Sequence, residues 1–341
     1  MYSALSSNSG GTLLIAHASS RSLPKKFLLA ILPNPSYTPF TSFSSFAQPA
    51  NVDKIAGISG DTLTGAKADT SWKTGGFLGI NFSQVSLNNW AQGGENSIAI
   101  GANAALFANY AKGKTQWDNS LTLAYAMLQT GSAPLRKSDD QIDLTSKFGY
   151  RIGDSKWFYS ALLNFKSQFA NGYSYPNDSV VVSHFMAPAY VTIALGVNYK
   201  PVEYFEMFFS PATGKITVVN DQDLADLGAY GVDPATFDAN GAVITSGKKT
   251  RNEFGAYVNF KFKKDIFTNV TLASKLELFN NYTDKDKDNA KNIDVNWETG
   301  LLMKVNKFMT ASVLTQLIYD ANTIARTQFK EVIGVGVGFK F

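Results

Sequence analysis

The side chains with chemistry to offer are charged, and they recur in even steps. Asp143, Lys147 and Arg151 share one parity, as do Lys275 with Glu277 and Glu298 with Lys304; Lys166 and Lys261 sit in segments of the same pattern. Even spacing puts side chains on one face of a β-strand. These nine residues are therefore expected to form rows of both signs, facing away from the large apolar side chains of the same segments. Such rows suit hydration and charge selection along a water-lined wall, not the making and breaking of bonds.

Bond-making chemistry finds little support. A hydrolase needs a nucleophile, a base and an orienting group that converge. The chain has two histidines, His17 and His184, and no cysteine, which excludes disulfides and thiolate metal sites. His184 follows Ser183 directly, so on a strand the two would point to opposite faces, and it precedes Pro188 in an expected solvated loop. The alternating carboxylates of 284–288 are interleaved with lysines and lack the glycine and glutamate of a calcium loop, so a solvated hairpin tip is expected there. Asn220, Asp221, Gln222, Asp223 and Asp226 fall in a long loop, with weak calcium binding as the alternative to a plain connection. Trp90, Tyr173, Tyr175 and Tyr230 are loop aromatics, expected to cover strand ends rather than to stack on a sugar or peptide. No enzyme, cofactor or metal site is expected. Lysine and arginine form no run beyond doublets such as Lys25-Lys26 and Lys263-Lys264, so nucleic acid is not an expected partner.

The elements that would carry these rows are strands. Of 341 residues 17% are charged and 13% aromatic, and no run approaches the length of an apolar membrane helix. From Trp72 onward twelve alternating segments recur, at about 75–87, 97–111, 116–130, 139–151, 156–170, 188–199, 203–210, 251–263, 267–282, 292–304, 308–320 and 328–341. Tight connections such as Lys112-Gly113-Lys114 and Gly153-Asp154-Ser155 alternate with longer polar ones at 88–96, 131–138, 171–187, 211–250, 283–291 and 321–327. Short periplasmic turns in step with longer external loops are the pattern of a transmembrane antiparallel up-and-down β-barrel. A soluble barrel with these apolar faces inside is the alternative, and twelve long strands would give it a very wide apolar interior. Aromatics near the segment ends, such as Trp72, Tyr110, Trp117, Tyr199, Tyr204, Tyr282 and Tyr319, favour the membrane girdle.

The last segment carries its own signal. Gly334 to Phe341 alternates large apolar with small or polar residues and ends on Phe339 and Phe341, resembling the C-terminal signal by which outer-membrane barrels are recognised for insertion. The barrel-assembly machinery and outer-membrane lipid are thus expected partners. The small residues Gly334, Gly336 and Gly338 would leave space on the inner wall, either open water or the seat of an inward-folded loop.

At the other end, Lys25-Lys26 and the apolar stretch Phe27 to Leu32 read as parts of a secretory signal, with Ser45-Phe46-Ala47 before a cleavage point at Gln48. More than twenty residues precede the lysines, which is what a start assigned upstream of the true one would give; a Ser/Pro-rich tail is the other reading. The expected organisation is a targeting region 1–47, a short periplasmic segment 48–71 and a barrel 72–341.

Several separated motifs also resemble a known family. Trp72-Lys73-Thr74-Gly75-Gly76, the run from Leu87 to Gly94, Gly172 to Ser179, Ser210 to Lys215 with Gly228 to Asp233, and Asn292 to Glu298 are similar to those of a Bacteroidota outer-membrane family catalogued only as a domain of unknown function, DUF3078. The resemblance runs from about residue 70 to the end. It implies an outer-membrane barrel of a Gram-negative bacterium and brings no catalytic residues with it. The expected function is passage of small hydrophilic solutes through a lumen lined by the nine charged residues. The alternative is a non-conducting barrel that serves as a structural, binding or assembly component through its external loops.

Overall fold

The computed structural model describes residues 71–88, 95–284, 291–306 and 308–340. The expected targeting region, Trp90, the 285–288 alternation and Phe341 lie outside them, as does the side chain of Phe339.

Among the described residues twelve strands close into one antiparallel barrel. They are β1 (Trp72–Val85), β2 (Ser97–Lys112), β3 (Thr115–Thr130), β4 (Arg136–Arg151), β5 (Trp157–Ser167), β8 (Ala189–Val202), β9 (Phe205–Val218), β12 (Thr250–Phe267), β13 (Val270–Asn281), β14 (Asp294–Lys304), β15 (Met309–Asp320) and β16 (Ile324–Lys340). Each pairs with the next in this order, and β1 closes on β16 with Phe77 opposite Lys340 and Ile80 opposite Val337. Closure gives every strand of the barrel a neighbour on both sides, as a sheet that crosses lipid requires.

The pleat sorts side chains as a membrane barrel requires. Ile80 is 61% exposed, Tyr159 62% and Leu195 60%, all on outward positions. Buried positions meanwhile hold Asn81, Thr122, Asn164, Asn259, Lys147 and Lys275. Apolar outside and polar inside inverts a soluble core, so the soluble barrel is excluded. Aromatic rings gather at the strand ends: Trp72 lies 5.3 Å from Tyr110 and 5.8 Å from Trp117, and Trp157 stacks on Tyr199 at 4.4 Å, all at the tight-turn end. Phe254 and Tyr282 meet at 6.2 Å at the loop end. Outward indole N–H groups are satisfied locally, Trp117 donating to Ser146 Oγ at 2.8 Å and Trp297 to Ser274 Oγ at 3.0 Å.

Two expectations about the connections change. The segment that was to stop at residue 210 continues to Val218, because Pro211 sits in a bulge where the registers of β9 with β8 and with β12 both shift. A bulge frees the proline from ladder bonding, and Ser210 Oγ closes it by donating to the Leu195 carbonyl at 2.7 Å. In addition, β4 and β16 begin earlier than expected, shortening their loops to 131–135 and 321–323, so the long and short connections alternate less cleanly.

The remaining elements lie in the two long connections. Residues 168–188 carry the pair β6 (Gly172–Tyr173) and β7 (Val181–Ser183). In 219–249 lie the short strands β10 (Thr236–Phe237) and β11 (Val243–Thr245) and the helix α1 (Gln222–Asp226), capped by Asp221, which accepts from Leu224 N–H at 2.9 Å. Ala187, Val219, Leu224, Ala225 and Val232 make a small apolar core there, and Tyr230 donates to the Val182 carbonyl at 2.7 Å. The backbone at Gly231 lies against the Arg251 guanidinium, bringing this connection to the lumen side of β12. Residues 237–243 contain a turn in which Asp238 accepts from Asn240 and Ala242 N–H at 2.9 and 2.7 Å.

Candidate functional site

Inward positions on seven strands bring charged side chains together inside the barrel. Lys166 on β5 pairs with Glu277 on β13 at 3.0 Å and reaches Asp143 on β4 at 4.0 Å. Lys275 pairs with Glu277 at 3.1 Å. Since β5 and β13 are not neighbours in the sheet, the first of these bonds crosses the interior. The same holds for Lys147 on β4 with Glu206 on β9, and for Lys200 on β8 with Asp118 on β3 at 3.0 Å. Lys200 also lies 3.4 Å from Glu206.

Neutral donors complete this network. Tyr257 OH donates to Glu277 at 2.6 Å, Asn296 to Glu277 at 3.0 Å and to Glu298 at 3.3 Å, and Gln316 to Asn296 at 2.9 Å. Asn164 donates to Asp143 at 2.7 Å. Carboxylates with several donors and at least one cation are strongly held, which fixes side chains that would otherwise sweep the lumen.

A second ionic group lies nearer the loop end. Lys215 on β9 contacts Asp294 at 2.9 Å, Glu253 at 3.7 Å and Asp320 at 3.9 Å. Arg251 donates to Glu253 at 2.7 Å, and Asn281 bonds the other oxygen of that carboxylate at 3.1 Å.

The nine sequence-expected residues therefore divide. Asp143, Lys147, Lys166, Lys275, Glu277 and Glu298 join the central network. Lys261 lines a small interior cavity beside Lys147 and Lys275, with no bonded partner among the described residues. Arg151 stands apart at the tight-turn end, its guanidinium 5.3 Å from the Phe158 ring centre. Lys304 is exposed at the end of β14.

Sequence reasoning missed Asp118, Lys200, Glu206, Lys215, Arg251, Glu253 and Asp320. Lys215 fell in a segment read as loop because of Pro211. Lys200 was assigned to a turn by its neighbour Pro201. Glu206 was hidden because its own face also carries Phe208, so the alternation of β9 is blurred. That blurring is general on this side of the barrel: Leu162, Phe208, Tyr257 and Phe279 pack together inward instead of facing lipid.

Of the three glycines of β16, Gly338 acquires a different meaning. At Gly338 the space is taken by the Phe77 ring, which also lies over Gly79. It is neither open water nor the seat of a loop.

The histidine belongs to the outer connections. His184 Nε2 lies 3.0 Å from Asp221 Oδ2, and its Nδ1 is 2.9 Å from the Phe185 carbonyl. Ser183 instead faces Gly172, so no nucleophile–base pair forms. Burial raises the Asp221 carboxyl, but the Leu224 N–H bond and His184 more than offset it and hold it below its usual value. Among the described residues no group of three His, Cys, Asp or Glu side chains could hold a metal ion.

The family described as "Protein of unknown function (DUF3078)" matches residues 82–173, which span β2 to β6 and the end of β1. No curated protein matches the chain. Among solved structures it is similar to an outer-membrane channel from Pseudomonas putida F1, at 9% identity and a TM-score of 0.35, covering 82% of this chain and 98% of that one. The outer-membrane channel DcaP of Acinetobacter baumannii is similar at 11% identity and 0.28, over 82% and 99%. Outer-membrane phospholipase A from Escherichia coli is similar at 12% and 0.35, over 78% and 93%. Likenesses of this size do not separate channel from enzyme. The closed barrel with its apolar outer belt is by itself that of an outer-membrane protein.

Proposed function

We propose that this outer-membrane barrel passes small hydrophilic solutes through its lumen. The observation that supports this most is the mixed-sign ionic network spanning non-adjacent strands, from Lys166 and Glu277 to Lys147 and Glu206. Buried ion pairs stabilise a packed interior no better than apolar residues of similar volume. A barrel serving only as a scaffold would do as well to continue the apolar filling of Phe208, Tyr257 and Phe279 across its width. Charges of both signs instead keep a hydrated wall, and the crossing pairs narrow the path to solutes of ionic size. Residues 1–47 serve in this reading as the export signal and 48–71 as a periplasmic lead-in. Phe339 and Phe341 are the residues offered to the assembly machinery.

Purified, refolded protein in planar bilayers tests the proposal. Small ohmic single-channel steps are expected, and they should change in size when Lys166 or Glu277 is neutralised. Silence from protein that is folded, as judged by a heat-modifiable gel shift, would overturn it. That outcome would favour the second reading, a non-conducting barrel acting through its loops, which the mutual packing of the connections around Ala187, Val219 and Val232 supports.

A further inference from the structure

Four lysines and four carboxylates of the central network interleave: Lys147, Lys166, Lys200 and Lys275 with Asp118, Asp143, Glu206 and Glu277. A fifth lysine, Lys261 on β12, has no carboxylate within ion-pair distance and no hydrogen bond among the described residues. Glu298 does not supply one, since it is engaged by Asn296 and Gln316 and does not line the cavity at Lys261.

That cavity is large enough for one water molecule or one ion of similar size. Lys147, Lys261 and Lys275 all line it, with Asn164, Asn259, Tyr257 and Glu277 beside them, the carboxylate of Glu277 being held by Lys166, Lys275 and Tyr257. An ammonium carries three donors. Lys147 and Lys275 each use one on a carboxylate, so both keep N–H groups free for the cavity, and Lys261 keeps all of its own. Lys147 and Lys275 are 7% and 8% exposed, so bulk water is a poor counter-charge here.

We propose that this cavity is an anion site, in which the ammonium groups of Lys147, Lys261 and Lys275 hold one small monovalent anion of halide size. The inference deepens the channel reading, because it makes small anions the first solutes to be expected in the lumen, but the binding itself does not depend on conduction. The anion supplies the acceptor that Lys261 lacks, and it takes the N–H groups that Lys147 and Lys275 do not give to Glu206 and Glu277. Lys261 is the residue on which the site turns, the other two being already committed to Glu206 and Glu277.

Chloride-35 line broadening, measured on the folded full chain in a zwitterionic detergent, tests binding without any current. Excess linewidth that saturates with added chloride is expected. Lys261→Met should weaken the apparent affinity by about tenfold or more, the size expected for losing a charged hydrogen-bond partner. Lys261→Arg should retain most of it, and Lys304→Met, at the exposed end of β14, should leave it unchanged. No saturable broadening by folded wild-type protein would overturn the site, as it would if Lys261 were neutral. So would equal losses in the Lys261 and Lys304 variants, which would mean loose binding by surface lysines. Saturable broadening without bilayer current would keep the anion site and remove the channel.

Discussion

The lumen has two unlike walls. From β4 through β14, by way of β5, β8, β9, β12 and β13, lysines and carboxylates reach between non-adjacent strands and bind one another. On β1, β2 and the part of β3 beyond Asp118 the inward positions are small or neutral: Ala99, Ala105, Ala124 and Ala126 are buried, with Asn81, Asn109 and Thr122 as the polar groups among them. The difference teaches how a barrel of fixed circumference can be held in two ways. One wall is tied through its interior by side chains. The other relies on its backbone ladder and on close packing over glycine, as where Phe77 lies across Gly79 and Gly338 at the closing seam.

If this division is right, the two walls should fail differently. The largest effect is expected from Glu277→Leu, which leaves Lys166 and Lys275 without their shared counter-charge. Removing one partner of a buried pair is typically worth about 3–5 kcal/mol, so urea unfolding of the refolded barrel should show a clear loss of stability. Adding Lys166→Met to that variant should recover a large part of it. A single variant as stable as wild type would show that the charged wall is not tied through its interior.

On the small wall the break is steric. Gly338→Val puts a Cβ into the space of the Phe77 ring, and overpacking of this kind costs about 1–3 kcal/mol. The same unfolding measurement should register it, and Phe77→Ala in the same chain should relieve it, a coupling that only residues in contact display. Additive losses would mean that the seam does not depend on the ring.

The smallest effect belongs to neither wall and marks where the comparison ends. Asp221 caps α1 and meets His184, so Asp221→Asn should loosen the outer connections by about 1 kcal/mol without shifting the unfolding of the barrel. Its carboxyl is held below the usual value of 3.8. The stabilisation is therefore complete above that value and lost as pH falls through the depressed one. Protease protection of the 219–249 connection should drop on strong acidification in wild type, and the Asn variant should show less protection at neutral pH and little further change. An identical acid profile in both chains would remove Asp221 from this role.

Much of the barrel was legible because its information is local. Alternation along β4 and β14 is clean: Val295 and Trp297 alternate with Asn296 and Glu298, and such a pattern admits only one face for lipid. Where inward residues are apolar, the pattern weakens. β9 was cut short because Pro211 reads as a strand breaker, and only the double register shift around it shows that a bulge absorbs it. The inward apolar group of Leu162, Phe208, Tyr257 and Phe279 was illegible for a related reason, since alternation says which residues share a face and not which faces meet.

The sequence alone determined the strand number, the antiparallel order of neighbours and the sign of each face, because these depend on spacings of two residues and on turns between adjacent strands. Which charges pair was decided by the closed barrel. Lys166 and Glu277 are 111 residues apart, and no spacing rule relates them; they meet because closure sets β5 and β13 on facing parts of one wall. By the same closure Lys261 was left facing a cavity without a carboxylate and Phe77 was laid over Gly338. Local pattern fixes the direction in which a side chain points, but the curvature of the whole sheet fixes what stands in front of it.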